Sequence, residues 1–189
     1  MRAMINYGAY IGIDLAANPH RCSGFVAIDA KELAVVEASC LTEDDEIIES
    51  VKSYQRPVVA IDAPLGFGNG SMRKVDRKMI SLGYRVFPPG FSHMRSLTLR
   101  ALSLVKKLKE LGVVVIETHP KSVLKSTCCK TVDELAGRLN IRSFELASKN
   151  VRHVMDALIA AIASLCYDLG CSYVVEEVDG TIWLVKKLC

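Results

Sequence analysis

The sequence predicts an α/β fold built on a mixed β-sheet, and two groups of strands support this prediction. Residues 8–15, 22–29 and 33–40 form three predicted strands with short connections, which favour an antiparallel meander. Residues 58–62 and 113–117 are apolar on both faces, which is typical of buried parallel strands. The helices predicted between these last two strands make a right-handed crossover.

Helices are predicted where apolar residues recur at helical spacing. A first helix follows Thr42, and two basic helices span about 71–82 and 92–111. A helix over 150–168 is apolar nearly all round, which indicates that it is buried, although it carries Asp156. Shorter helices are predicted at 121–126, 132–139 and 143–148.

The last two predicted strands, at 172–176 and 181–185, flank Asp179-Gly180, a dipeptide typical of hairpin turns. The predicted architecture is a five-stranded mixed sheet with helices on both faces and a C-terminal hairpin. Three antiparallel strands come first and two parallel strands follow. At 189 residues the chain is predicted to form one domain, spanning 1–189, with a sizeable core.

Composition excludes several classes of protein. Half of the residues are hydrophobic, which excludes intrinsic disorder. No apolar run reaches the roughly 18–20 residues of a membrane span, and residues 1–10 contain no apolar signal-peptide region. We therefore expect a cytoplasmic protein without a membrane partner.

The seven cysteines show no spacing typical of a zinc site. Their odd number, without a secretion signal, argues against a disulfide scaffold. We therefore expect most of them to be small core residues. The single glutamine, Gln55, weakly fits a thermophilic source, for which intracellular disulfides stay possible.

Positive charge is concentrated in the middle of the chain. Residues 57–130 contain 13 Lys or Arg and 4 Asp or Glu, whereas the net charge of the whole chain is +3. A basic surface attracts phosphates, which favours nucleic acid as a partner. The alternative is that these residues form the solvated face of two basic helices.

Three of the predicted strands each carry one acidic residue. Asp14 lies within the first strand, and Asp62 and Glu117 end the two parallel strands. Burying a carboxylate costs several kcal/mol unless charge or hydrogen bonds compensate. Three strands that each present an acid therefore predict one shared site, most simply for a divalent metal ion.

The order of elements resembles the ribonuclease H-like fold, and the resemblance implies a set of metal ligands. In that fold an acid in the first strand lies beside an acid at the end of the fourth, and a late helix adds another. Asp14, Asp62 and Asp156 match these places, and Glu117 would be a fourth catalytic acid or a residue that supports the ligands. The segment from His153 to Leu158 is also similar to the His-x-x-Asp-Ala-Leu pattern of RuvC-type resolvases. Those resolvases have Glu where this chain has Asp62.

Short motifs across nearly the whole chain are similar to one family, the domain of unknown function 429, described as predicted ribonuclease H-like nucleases. The motifs are Gly12-Ile13-Asp14-Leu15-Ala16, Ser23-Gly24, Ile61-Asp62-Ala63-Pro64-Leu65-Gly66, Arg73 with Asp76-Arg77, Phe87-Pro88-Pro89, Leu97-Thr98, Glu117-Thr118-His119-Pro120 and Asp156-Ala157. The resemblance implies a nuclease that uses Mg²⁺ or Mn²⁺. Two such ions about 4 Å apart activate a water and stabilise the leaving oxygen of a phosphodiester.

Arg73 and Arg77 are the predicted substrate-binding residues. They lie one helical turn apart in the sequence, so two exposed guanidinium groups would clamp a phosphate. Exposed arginines contribute little to stability. Each acid and arginine also has a structural alternative. Asp14 would satisfy backbone donors at a bend, and Asp62 would form an Asx turn before Ala-Pro. Glu117 would pair with Arg73 or Arg77, Asp156 with Arg152, and the two arginines with Asp76 and its neighbours.

The function predicted from these residues is hydrolysis of phosphodiester bonds in nucleic acid by a metal-dependent nuclease. One alternative is a nucleotide-binding protein of the actin and sugar-kinase group, which shares the core. Proteins of that group usually need two such domains, so this chain would have to form a homodimer. A second alternative is a nucleic-acid-binding protein without catalytic activity.

Overall fold

The computed structural model describes residues 7–142 and 151–189, and it contains one seven-stranded sheet. The strands are β1 (Ala9–Asp14), β2 (Ser23–Asp29), β3 (Ala34–Leu41), β4 (Pro57–Ile61), β5 (Val114–Glu117), β6 (Ser172–Glu177) and β7 (Gly180–Val185). The helices are α1 (Asp44–Lys52), α2 (Lys74–Ser81), α3 (Ser92–Glu110), α4 (Pro120–Thr127), α5 (Val132–Arg138) and α6 (Val151–Leu169). The helix predicted at 143–148 lies outside the described residues.

The strand order across the sheet is β3-β2-β1-β4-β5-β7-β6. The pairs β1–β2 and β2–β3 are antiparallel, and the pairs β1–β4 and β4–β5 are parallel, as predicted. The prediction of five strands is wrong, because β7 runs parallel to β5 and joins the hairpin to the same sheet through Glu117 and Ile182. An open edge on β5 would leave backbone hydrogen-bonding groups unpaired, and β7 covers that edge.

The two faces of the sheet bury separate hydrophobic cores, because successive strand residues point to opposite sides. Tyr10 belongs to the core shared with α6, whereas Ile11 belongs to the core shared with α1 and α3. Helix α6 lies especially close to the sheet. A side chain at Gly12 would overlap the backbone of Ala157 and Ala161 in α6. Glycine at this position therefore allows α6 to pack directly on β1.

Six cysteines form disulfides, which corrects the expectation that most are simple core residues. The pairs are Cys22–Cys40, Cys129–Cys189 and Cys166–Cys171. Cys128 is free and exposed, which accounts for the odd number. The partners of the first two pairs lie 18 and 60 residues apart in sequence, so only the folded chain shows that they meet. Within residues 7–142 and 151–189, no helix is long and apolar enough to cross a bilayer.

Candidate active site

A cavity of about 710 Å³ opens at the carboxyl ends of β1, β4 and β5. Asp14 is the last residue of β1, Asp62 follows the last residue of β4, and Glu117 is the last residue of β5. Parallel strands place their carboxyl ends at the same edge of a sheet, where ligands of α/β proteins commonly bind. Helix α6 adds Asp156 and His153 to the lining of the same cavity.

The pKa of Asp62 is affected by burial and by the other acids of the cavity. Burial raises its pKa well above the usual range, and the negative charges of Asp14, Asp156 and Glu117 raise it further. Lys121 opposes this effect with its positive charge. Asp62 therefore lies within electrostatic reach of the other three acids, which line the same cavity.

Asp156 has a raised pKa for similar reasons. Burial is the largest cause, and the charge of Asp14 is the next. Arg152, Lys121 and His153 act in the opposite direction. The charge of Arg152 therefore offsets only part of the effect, and the pKa of Asp156 stays raised. Pairing with Arg152, the structural alternative for Asp156, does not account for its environment alone, because Asp14 also acts on it.

Asp14 makes a short contact with a histidine of α6. The Nδ1 atom of His153 lies 2.6 Å from Oδ2 of Asp14, and the imidazole is about half exposed. His153 stands three residues before Asp156, so both side chains lie on nearly the same face of α6. The sequence signal for a role of His153 at this site was the similarity of its segment to the His-x-x-Asp-Ala-Leu pattern.

Glu117 lines the cavity, but its carboxylate is held by an arginine. Nη1 of Arg73 donates to Oε2 of Glu117 at 2.8 Å, and Nη2 donates to Oε1. The guanidinium also donates to both oxygens of Asp76. The Arg73 and Asp76 side chains are each 2% exposed, and that of Glu117 is 7% exposed. The structural alternative in which Glu117 pairs with Arg73 is therefore confirmed.

These contacts correct the expected exposure of Arg73. Burial alone lowers its pKa, but hydrogen bonds to Glu117 and Asp76 outweigh that effect and raise the pKa, so the guanidinium stays charged. Helix α2 begins at Lys74, which makes Arg73 its N-cap residue rather than part of its first turn. The side chain therefore does not share a helix face with Arg77, which is exposed and does not line the cavity.

Three other cations line the cavity, and the sequence patterns did not single them out as site residues. They are Arg85, Lys121 and Arg152. Lys121 lies in the first turn of α4, directly after β5, so its position near the strand ends is readable from the element order. The same ammonium group adds to the effect of burial on His119, whose pKa falls to about 4. His119 is therefore neutral at pH 7, and its Nδ1 lies 2.7 Å from the hydroxyl of Ser122.

The donor atoms at this edge suit a hard divalent cation. Asp14, Asp62 and Asp156 supply carboxylate oxygens, the ligands that Mg²⁺ prefers. A bound cation would also relieve the repulsion that raises the pKa of Asp62 and Asp156. Among the residues that the structure describes, no three His, Cys, Asp or Glu side chains form a ready cage for a metal ion. Mg²⁺ commonly binds through one or two carboxylates together with waters and substrate phosphates, so an open site of this kind suits it.

Neither a family model nor a curated protein sequence matches the chain, so membership of the domain of unknown function 429 family stays a prediction. Solved structures of RuvC from Thermus thermophilus do match, one of them in complex with a Holliday junction substrate. The chain has a RuvC-like fold. The identity is 16%, the TM-score is 0.50, and the match covers 86% of this chain and 96% of the RuvC chain. At this identity the likeness establishes the ribonuclease H-like fold alone, and it confirms the predicted fold class apart from the strand count.

Proposed function

We propose that this protein is a divalent-metal-dependent nuclease that hydrolyses phosphodiester bonds of nucleic acid. The observation that carries the proposal is that Asp14, Asp62 and Asp156 line one cavity at one edge of the sheet. The RuvC-like fold supports it, and so does the Holliday junction bound to RuvC in one of the matching structures.

Asp14, Asp62 and Asp156 would hold Mg²⁺ or Mn²⁺ in this proposal. The bound ion would supply Lewis-acid stabilisation of charge on the phosphodiester oxygens and activation of a water. His153 orients the Asp14 carboxylate through its Nδ1 contact. Because both Asp14 and Asp62 lie at the ends of paired strands, their backbones are held rigidly, which a metal site requires.

The cations of the cavity would bind the substrate phosphates. Lys121 and Arg152 lie close enough to Asp156 for their charges to lower its pKa, so they also lie near the proposed metal. Arg85 lines the same cavity beside Phe87. These three side chains take the phosphate-binding role that the sequence suggested for Arg73, whose guanidinium is engaged by Glu117 and Asp76.

Phe87 supports a nucleic-acid substrate in particular. Its side chain lines the cavity and is 62% exposed, so its ring is accessible to a bound ligand. The segment that carries it is anchored, because Pro88 and Pro89 are buried and the amide of Gly90 donates to the carbonyl of Ser71. Aromatic side chains beside cations are typical stacking platforms for unpaired bases.

The test compares cleavage of labelled single-stranded, duplex and four-way junction oligonucleotides with Mn²⁺, Mg²⁺ or a chelator. We expect cleavage that requires a metal and that is lost in Asp62→Asn and Asp156→Asn. Glu176→Gln, which changes an exposed acid on β6, is the matched control and should cleave like the parent. Mn²⁺ should also raise the melting temperature of the parent but not of Asp62→Asn, because a ligand that binds only the native state stabilises it.

Other outcomes of this test favour the alternatives. Cleavage that is equal with and without chelator, or equal in Asp62→Asn, would contradict the metal-dependent mechanism. Oligonucleotide binding without turnover would favour a non-catalytic binding protein. Saturable binding of ATP, with no affinity for oligonucleotides, would favour the nucleotide-binding alternative.

A further inference from the structure

The backbone that carries Asp62 is fixed at both ends of a short segment. At one end the amide of Asp62 donates to the carbonyl of Ile13 at 2.8 Å, which extends the pairing of β4 with β1. At the other end the amide of Leu65 donates to Oε2 of Glu117, also at 2.8 Å. Between them Ala63 and Pro64 are buried, and the proline ring restricts its own backbone. The Asp62 side chain therefore projects from a segment whose position depends on Glu117.

Glu117 is in turn held in place by Arg73. Both carboxylate oxygens accept from the two terminal nitrogens of the guanidinium, and this bidentate geometry fixes orientation as well as distance. Arg73 is held on its other side by Asp76. Asp179, in the turn between β6 and β7, accepts from the amides of Lys74 and Val75 at the start of α2. The chain of contacts thus runs from the C-terminal hairpin through α2 to the segment of Asp62.

The same contacts leave Glu117 poorly suited to be a metal ligand. Its two oxygens already accept three hydrogen bonds from Arg73 and Leu65, and the pair with Arg73 is buried. Turning the carboxylate toward a cation would break these bonds and leave a buried guanidinium with one carboxylate fewer, which is strongly unfavourable.

We propose that Glu117 and Arg73 are a positioning pair that sets the place of the Asp62 carboxylate through the Leu65 amide. Glu117 is then neither a metal ligand nor a catalytic acid. This inference deepens the proposed function and rests on it for the role of Asp62. The contact between Glu117 and Leu65 can be tested without any metal.

The first test uses the metal-free protein. Glu117→Gln keeps one oxygen that can accept from Leu65 and Arg73, whereas Glu117→Ala removes the acceptor. We expect the exchange of the Leu65 amide with solvent, measured by NMR, to rise at least about tenfold in Glu117→Ala and to stay near the parent rate in Glu117→Gln. The carboxyl carbon signal of Asp62 should move in Glu117→Ala and return toward the parent position in Glu117→Gln. Unchanged Leu65 exchange and an unchanged Asp62 signal in Glu117→Ala would overturn the proposal.

The second test measures Mn²⁺ affinity by calorimetry, well below the melting temperature of each variant. A residue that supports a ligand typically changes metal affinity by about 10–100-fold when removed. We expect a loss of at least about tenfold in Glu117→Ala and near-parent affinity in Glu117→Gln, with Glu176→Gln as the control. Equal loss in Glu117→Gln and Asp62→Asn would identify Glu117 as a ligand and overturn the proposal.

Two outcomes need a separate interpretation: a parent protein that binds no Mn²⁺, and a Glu117→Ala variant that does not fold. If the parent binds no Mn²⁺, the proposed function fails, and the positioning role is decided by the Leu65 and Asp62 signals alone. If Glu117→Ala does not fold, Arg73→Lys replaces it, because lysine cannot hold both oxygens of Glu117 together with Asp76. Faster Leu65 exchange in Arg73→Lys would support the proposal, and an unchanged rate would contradict it.

Discussion

Nδ1 of His153 lies 2.6 Å from Oδ2 of Asp14, and this contact joins α6 to the end of β1 across 139 residues of sequence. It is possible because α6 packs against β1 where Gly12 has no side chain. One turn further along α6, Asp156 faces the same cavity. The site therefore depends on close packing between one helix and one strand.

The raised pKa of Asp62 predicts how the stability of the metal-free protein varies with pH. A carboxyl whose pKa is higher in the folded state binds its proton more tightly when folded. Its stabilising contribution is therefore full below the unfolded pKa and is lost as the pH rises through the folded pKa. We expect this contribution of Asp62 to the free energy of unfolding to fall as the pH rises above about 4, because the buried carboxyl ionises beside Asp14, Asp156 and Glu117.

Asp62→Asn should remove that contribution to the pH profile, and it should stabilise the metal-free protein near pH 7 because the burial of a charge and the repulsion from the other acids are both removed. Urea unfolding of both proteins between pH 4 and 8 measures the two effects. A stability of Asp62→Asn relative to the parent that does not increase from pH 4 to 8, or an Asp62→Asn variant that is less stable than the parent at pH 7, would contradict the electrostatic account of the site.

Arg73 and Arg77 offer a matched pair for testing burial. Removing one partner of a buried ion pair costs about 3–5 kcal/mol, whereas an exposed surface substitution usually changes stability by less than about 0.5 kcal/mol. We therefore expect Arg73→Ala to be strongly destabilised in urea unfolding and Arg77→Ala to be close to the parent. Equal stability of the two variants would mean that the buried pair with Glu117 does not form in solution.

Lys121 should contribute to nucleic-acid binding through one phosphate contact. Each phosphate that a protein neutralises adds about one unit to the slope of log affinity against log salt concentration. We expect Lys121→Ala to weaken binding of every oligonucleotide and to lower the slope by about one, with Arg77→Ala as the exposed control outside the cavity. A larger effect of Arg77→Ala than of Lys121→Ala would place the substrate on another surface.

The Cys129–Cys189 disulfide should stabilise the protein substantially. It links residues 60 positions apart, and closing a loop of that length in the unfolded chain is worth about 4 kcal/mol in the chain-entropy model. We expect Cys129→Ser combined with Cys189→Ser to lower the melting temperature clearly. Cys128→Ser changes the neighbouring free, exposed thiol and should have almost no effect. Equal melting temperatures for both variants would show that this disulfide does not contribute to stability in solution.

Much of the fold was predictable because it depends on local pattern. Apolar runs marked the buried strands β4 and β5, and helical spacing marked α3 and α6 to within one residue at each end. The place of the hairpin was not predictable in this way. Its attachment depends on which sheet edge is left open, and that edge is defined only after the other strands have paired.

The sequence by itself predicted that Asp62 and Glu117 lie at one common edge of the sheet, because each ends an apolar strand of the predicted parallel pair. For Asp14, which lies within the first predicted strand, the prediction came from the pattern of one acid per strand and from the resemblance to the ribonuclease H-like fold. The sequence also indicated Asp156, through its place in a helix that is otherwise apolar. Only the tertiary structure decided the roles of Glu117 and Arg73. Their hydrogen bonds join residues 44 positions apart. Arg73 is buried because α2 packs against the hairpin of β6 and β7, which places its N-cap residue beside the end of β5.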